Sequence, residues 1–305
     1  MMNQASEKPS RIIEIKGYQY DETKPVGRGG FGQVYFGQKK DDPTIKVAIK
    51  VLSKKEGDEC KTLQREISIL QAVRGDHIIE YYDSHSDDNK TYIITSYCNG
   101  GTLMDLLGKE KTLSETRALD YLMQIALAFR EIQELLDNSV LKKQDNKDSS
   151  AAIKELIHRD IKPPNLLLHD GKIKICDFGL SRFVRENTKL THFSATFRYS
   201  SYQLLTGEAY SSKTDVWSTG IVFYEMLFGD KPWKASCEYL LVEEIKKNPK
   251  PTFPEGCDIT EESKDLIRSM LAFEEEDRID WRGVLEHPAF YLLNMVQCQE
   301  RFEDL

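Results

Sequence analysis

The chain has 305 residues, 40% hydrophobic and 30% charged, with 42 Lys+Arg against 50 Asp+Glu and a net charge of −8. At about 150 residues per domain this predicts two domains or one large domain with two lobes, too apolar for a disordered chain. The acidic balance excludes a general nucleic-acid binder, whose footprint is a basic excess. No apolar run reaches the roughly 18 residues that span a bilayer; the nearest candidate, 221–228, is cut by Glu225. The first residues, MMNQASEKPSR, hold no apolar core of a secretion signal. Six cysteines stand at 60, 98, 176, 237, 257 and 298, never as CxxC and never beside a histidine pair. Such usage predicts reduced thiols in a cytosolic or nuclear compartment, with a cytoplasmic protein as the expectation.

In chain order, the β-prone runs 11–20, 32–37, 46–52 and 91–95 predict strands. Between the last two, Leu63, Glu66, Ile67 and Leu70 recur at helical spacing, a helix carrying one acid on its inward edge. After the turn signal Cys98-Asn99-Gly100-Gly101 the pattern becomes helical. Leu122, Ile125, Ala126, Phe129 and Ile132 form a 3.6-residue stripe, with Ser114 as its N-cap. Runs near 216–228, 263–272 and 281–286 also predict helices, whereas the polar stretch 137–150 predicts a surface insertion. No repeat or long low-complexity tract is visible.

Gly27-Arg28-Gly29-Gly30-Phe31-Gly32 matches G-x-G-x-x-G. A dinucleotide-binding turn and a plain glycine-rich hairpin share this string, so context must decide. A dinucleotide fingerprint opens a helix, yet Gln33-Val34-Tyr35-Phe36-Gly37 is β-prone, and Val47-Ala48-Ile49-Lys50 follows in another strand-like run. Glycines suit such a loop because backbone N–H groups reach phosphate oxygens only where side chains are absent. No G-x-x-x-x-G-K-[ST] occurs, which excludes a P-loop NTPase. His158-Arg159-Asp160-Ile161-Lys162-Pro163-Pro164-Asn165, followed by Asp177-Phe178-Gly179, is far more specific. Phosphoryl transfer needs this inventory: hard oxygen donors for Mg²⁺, a lysine for phosphate charge and a carboxylate to take the hydroxyl proton.

In these motifs the chain resembles the eukaryotic-type protein kinases over about residues 15–292. The resemblance implies an α+β bilobal fold, a small antiparallel sheet lobe with one helix and a larger, mainly α-helical lobe. It divides the chain into a small ATP-binding lobe (15–95), a hinge (96–98), a catalytic and substrate-binding lobe (99–292) and a C-terminal extension (293–305). Gly27, Gly29 and Gly32 would cover the ATP phosphates. Lys50 would contact them and pair with Glu66. Asp160 would be the catalytic base, Lys162 would touch the γ-phosphate, and Asn165 and Asp177 would hold Mg²⁺. Val34, Ala48 and Leu167 would enclose the adenine, with Ser96, Tyr97 and Cys98 offering backbone bonds and Thr95 as a small gatekeeper. Asp215, in the run DVWSTG, would brace the catalytic loop.

Lys162 and Thr196 resemble the serine/threonine group, which implies a protein Ser/Thr hydroxyl as acceptor. Retention of Lys50, Glu66, Asp160, Asn165 and Asp177 speaks against a pseudokinase scaffold, and the loop around Thr196 against a small-molecule kinase. Where the family has A-P-E, this chain has Ser201-Tyr202-Gln203. The matching partner is Arg278, and a neutral glutamine predicts a looser substrate platform with activity retained. Ala195 stands where a glycine is usual. Arg159 would receive a phosphate on Thr188, Thr191 or Ser194, placed by an upstream kinase or by autophosphorylation in trans. Thr102 and Pro164 stand where basophilic kinases carry acids, predicting no demand for an upstream arginine and an apolar preference instead. Leu180 resembles kinases favouring serine over threonine. The segments 97–103, 112–115 and 277–281 are similar to the autophagy-initiating, ULK-like kinases, while Thr95, Ser96 and the insertion depart from them. Cys176 is read as a small buried residue, and the scattered histidines form no metal constellation.

Overall fold

A computed structural model describes residues 10–29, 32–53, 58–138, 153–185 and 196–291. The chain forms two compact units, residues 1–72 with 79–99 and residues 73–78 with 100–305.

The first unit is one antiparallel sheet and a helix. Its strands are β1 (Ile12–Ile15), β2 (Tyr18–Gly29), β3 (Gly32–Lys39), β4 (Lys46–Ser53), β5 (Tyr81–Ser86) and β6 (Lys90–Ser96), in the order β1-β2-β3-β4-β6-β5. Helix α1 spans Asp58–Ala72. Strand periodicity of two separates the sheet faces. Tyr20, Tyr35, Val47, Ile49, Tyr92 and Ile94 make one face and its core. Val34 pairs with Lys50 across β3–β4, and Ala48 pairs with Thr95 across β4–β6. These four therefore share the opposite face. Strand β5, YYDSHS, was not legible beforehand because it is half-buried and lacks apolar alternation.

The second unit is mainly helical: α2 (Leu103–Glu110), α3 (Glu115–Asp137), α4 (Tyr202–Thr206), α5 (Lys213–Phe228), α6 (Glu238–Lys247), α7 (Glu261–Met270) and α8 (Trp281–Leu285). Two short antiparallel strand pairs accompany them, β7 (Ile153–Ile157) with β10 (Arg182–Arg185) and the hairpin β8 (Leu166–His169) with β9 (Lys172–Ile175). The Ser114 hydroxyl caps α3 on the Arg117 N–H, and the whole predicted stripe from Leu122 to Ile132 is buried. Helix α5 is buried from Thr214 to Tyr224, which explains why it reads as apolar on every side. Gly220 lets α7's end approach: a Cβ there would lie 3.0 Å from both Met270 Cβ and Leu271 Cδ2. Trp281 stacks on Phe129 with ring centroids 4.3 Å apart, fixing α8 against α3. The polar stretch predicted as an insertion begins inside α3, which runs to Asp137; from 139 it lies outside the described residues. The observed class, an antiparallel sheet with one helix in one unit and mainly helices in the other, is the one the resemblance implied.

Candidate active site

In the first unit, Lys50 on β4 donates to Glu66 of α1 at 2.6 Å, with Glu66 buried. A helix at this distance holds its acid over the Val34, Ala48 and Thr95 face of the sheet. Hairpin residues Gly27 and Gly29 pair with Val34 and Gly32. At Gly32 a Cβ would stand 2.2 Å from the Val51 carbonyl oxygen, so the β3–β4 ladder itself demands glycine there. Tyr97 closes the strand end by donating its N–H to the Lys46 carbonyl at 3.3 Å.

In the second unit everything converges on the loop 158–165. Asp215, in the first turn of α5, accepts the backbone N–H of His158 on Oδ2 (2.7 Å) and of Arg159 on Oδ1 (2.8 Å). This holds Arg159 in the left-handed region, at φ 66°. The His158 ring faces Phe178 at 4.9 Å, accepts the Asp160 N–H on Nδ1 at 3.3 Å and donates from Nε2 to the Cys176 carbonyl at 3.1 Å. Burial keeps this imidazole neutral, its pKa held below the usual value. The Cys176 N–H returns a bond to the Asn165 carbonyl at 3.0 Å, which sets Asp177, also left-handed at φ 62°, beside the loop.

Asp160 then has a fixed environment. Its Oδ2 receives Lys162 Nζ at 2.8 Å and Asn165 Nδ2 at 2.9 Å, and the Thr196 hydroxyl lies 3.3 Å from Oδ1. Lys162 also donates to Thr196 Oγ1 at 2.7 Å. The two prolines 163 and 164 open the single 3₁₀ turn that delivers Asn165. Because Asn165 spends its amide N–H₂ on Asp160, its carbonyl oxygen is the end left to face a cation. That oxygen and the Asp177 carboxylate are both hard-oxygen groups, the donor chemistry that Mg²⁺ prefers. Leu167 is half-buried on β8, where it bridges to Thr102.

Residues 20–290 match the protein kinase domain. The chain belongs to the protein kinase family. It is 29% identical over 284 residues to serine/threonine-protein kinase ULK1 of Homo sapiens, covering 89% of this chain and 25% of that protein. It is 32% identical over 274 residues to an Aurora kinase of Patiria pectinifera, covering 88% of this chain and 61% of that one. To serine/threonine-protein kinase ATG1 of Saccharomyces cerevisiae (strain ATCC 204508 / S288c) it is 32% identical over 296 residues, covering 85% and 32%. The kinase thus spans less than two thirds of the length of each of these relatives.

Two features of this kinase were not visible in its motifs. Arg159, read from the sequence as a phosphate receptor, directs its guanidinium at the Leu180 carbonyl (Nε, 2.7 Å) and the Tyr210 hydroxyl (Nη1, 3.3 Å). Only the fold brings those partners in. The three hydroxyls proposed to receive its phosphate, Thr188, Thr191 and Ser194, lie outside the described residues. The second feature is the full set of partners of the Gln203 amide, of which the sequence predicted only Arg278. Its Oε1 accepts Arg278 Nη2 at 2.9 Å while its Nε2 donates to the Phe273 carbonyl at 2.8 Å. Gln203→Glu would gain a charge partner for a buried guanidinium and lose the donor to Phe273. The expected balance is about 1 kcal/mol of added stability, read as a higher melting temperature; an unchanged melt would refute it.

Asp215 supplies a pH test. Burial pushes its carboxyl up to about 7, against the opposing pull of the His158 and Arg159 N–H groups. The folded state then holds a proton more tightly than the unfolded chain between about pH 4 and 7. The carboxyl's contribution to stability therefore falls as pH rises through that window. The stability advantage of the wild type over Asp215→Asn is expected to be larger at pH 5 than at pH 8, measured by urea unfolding. An advantage that grows with pH would contradict this.

Proposed function

We propose that this chain is an ATP-dependent serine/threonine kinase domain that transfers the γ-phosphoryl group to a Ser or Thr hydroxyl of a protein substrate. The observation that carries the reading is the Asp160–Lys162–Asn165–Thr196 cluster: one carboxylate, oriented by a lysine and an amide, beside a loop threonine. Asp160 would accept the substrate hydroxyl proton as the new O–P bond forms and the bond to the β-phosphate oxygen breaks, leaving ADP. Lys162, within reach of both Asp160 and Thr196, would meet the charge on the γ-phosphate. Lys50, oriented by Glu66, would grip the α- and β-phosphates under Gly27, Gly29 and Gly32. Asn165 and Asp177 would hold Mg²⁺, which supplies charge neutralisation on the phosphate oxygens. Val34, Ala48, Thr95, Leu167 and the Ser96–Cys98 backbone would serve the adenine. On this reading residues 15–95 are the ATP-binding lobe, 96–98 the hinge, 99–292 the catalytic lobe and 293–305 an extension.

Control by phosphorylation of the activation segment belongs to the same proposal. Arg182 Nε is buried with no hydrogen-bond partner among the described residues, and its charge acts on Arg159, whose pKa burial already lowers. Two neighbouring guanidiniums, one of them unsatisfied, favour an incoming phosphate placed by an upstream kinase or in trans. A cytoplasmic role in autophagy initiation is the reading that the ULK-like segments favour. The test is label transfer from γ-labelled ATP with Mg²⁺ to Ser/Thr peptides, on phosphorylated and phosphatase-treated protein. Label on serine or threonine, reduced after phosphatase treatment, is the expected result; label on a metabolite and none on peptide would refute the reading.

A further inference from the structure

Three residues past Thr196, an internal ion pair occupies the platform that follows the catalytic threonine. Glu225, in the last turn of α5, accepts the Tyr199 hydroxyl on Oε2 and Lys231 Nζ on Oε1, both at 2.8 Å. Lys231 also sits 5.0 Å above the Tyr199 ring, a cation–π contact. The Lys231 and Glu225 side chains are each only 16% exposed, so this is a seated pair and not a solvated surface contact. Burial and the Glu225 charge hold the Tyr199 phenol above its ordinary range, so it remains a donor. Both oxygens of Glu225 are thus engaged from within the chain. A basic side chain on a substrate would have to displace Lys231 to reach it.

The neighbouring charge is of the opposite sign. Arg198 is exposed, its guanidinium 5.3 Å over the Phe197 ring, and among the described residues no acid pairs with it. Phe197–Tyr199 is a 3₁₀ turn, whose rise of about 2 Å per residue keeps these groups within a few residues' reach of the acceptor site. Asp160, beside Thr196, already holds Lys162 and Asn165. Among the described residues, the turn after Thr196 therefore presents one open cation, Arg198, while Glu225 is closed by Tyr199 and Lys231.

We infer that Lys231 and Arg198 are specificity determinants: the platform selects substrates carrying an acidic side chain near the acceptor hydroxyl and rejects basic ones there. This rests on the protein-kinase reading above. Lys231 acts by occupying Glu225, and Arg198 acts by pairing with the incoming carboxylate.

The experiment is a peptide panel with one serine in an alanine background and Glu or Arg at each of the four positions on either side, phosphorylated with ATP and Mg²⁺. In the wild type, Glu at one or more positions is expected to raise kcat/KM about tenfold over alanine, the size of one charge-assisted contact, and Arg to lower it. Arg198→Ala should abolish the gain, and Glu225→Gln, which releases Lys231, should enlarge it. Lys231→Met should expose Glu225 and turn the preference toward Arg. If Lys231→Met fails to fold, the Arg198 and Glu225 variants decide. A wild-type preference for Arg, or charge profiles unchanged in Arg198→Ala and Glu225→Gln, would overturn the inference while label on the alanine peptide upheld the kinase reading. No label on any peptide would remove both.

Discussion

Asp160→Asn is expected to lower kcat by roughly 10²–10⁴-fold, the range of general-base catalysis, while leaving the fold intact. The carboxylate is the receiving end of three contacts, Lys162 and Asn165 on Oδ2 and Thr196 on Oδ1, and Asn165 also bonds the Asp160 backbone carbonyl at 2.8 Å. Asparagine has the same shape, keeps one acceptor oxygen and keeps the backbone bonds. It replaces the other oxygen by an N–H₂ that cannot accept a proton or face the Lys162 ammonium. The loss should therefore fall on kcat, with little change in the KM for ATP, since the groups proposed to hold ATP phosphates, Lys50 and the glycine hairpin, are untouched. Steady-state kinetics with a peptide acceptor, beside a thermal melt of both proteins, checks this. An unaltered kcat would show that the hydroxyl proton leaves by another route.

The loop 158–165 was legible from sequence because its motif is local: His158 to Asn165 are consecutive, and a 3₁₀ turn started by two prolines brings Asn165 back to Asp160, with Asp215 and Cys176 bracing the loop from further along the chain. Lys50 and Glu66 were legible for a different reason. Each sits in an element with clear periodicity, and a single inward acid on an amphipathic helix needs a cation. What could not be read were contacts made by polar atoms across long stretches of chain. The Leu180 carbonyl and Tyr210 hydroxyl that hold Arg159 carry no motif, and neither does the Lys231–Glu225 pair six residues apart across the end of α5. Helix α6 escaped because only Leu241 and Ile245 are buried on it, leaving Tyr239 and Leu240 exposed and the apolar pattern scrambled. The register of the buried face on α1 also shifted: Glu66, Ile69 and Leu70 are buried while Leu63 and Ile67 are only half-buried. Helical spacing identifies a stripe, but tertiary contacts choose which edge of it faces inward.

Arg278→Met should cost about 3 kcal/mol of stability, although Arg278 lies in no catalytic motif. Its guanidinium is fully enclosed and satisfies four acceptors: the Ala272 carbonyl (3.0 Å), the Lys213 carbonyl (3.3 Å), Gln203 Oε1 (2.9 Å) and the Phe273 carbonyl (3.2 Å). Its flat face lies 4.8 Å over the Trp217 ring. Burial lowers its pKa to about 10, which still leaves it charged at neutral pH. Methionine fills similar volume and avoids the cost of burying a charge, which offsets part of the loss. It offers no donor, however, so buried carbonyl oxygens lose their partners, and each such loss costs about 1–3 kcal/mol. Lysine should restore only a fraction, because an ammonium cannot spread donors over four acceptors and stack on an indole at once. Both variants are to be compared with the wild type by urea unfolding at constant m-value. A loss under about 1 kcal/mol for the methionine variant would mean that the 272–273 carbonyls find water once the guanidinium is gone. Gln203 then would not depend on Arg278, and the anchoring of the substrate platform through these two residues would have to be sought elsewhere.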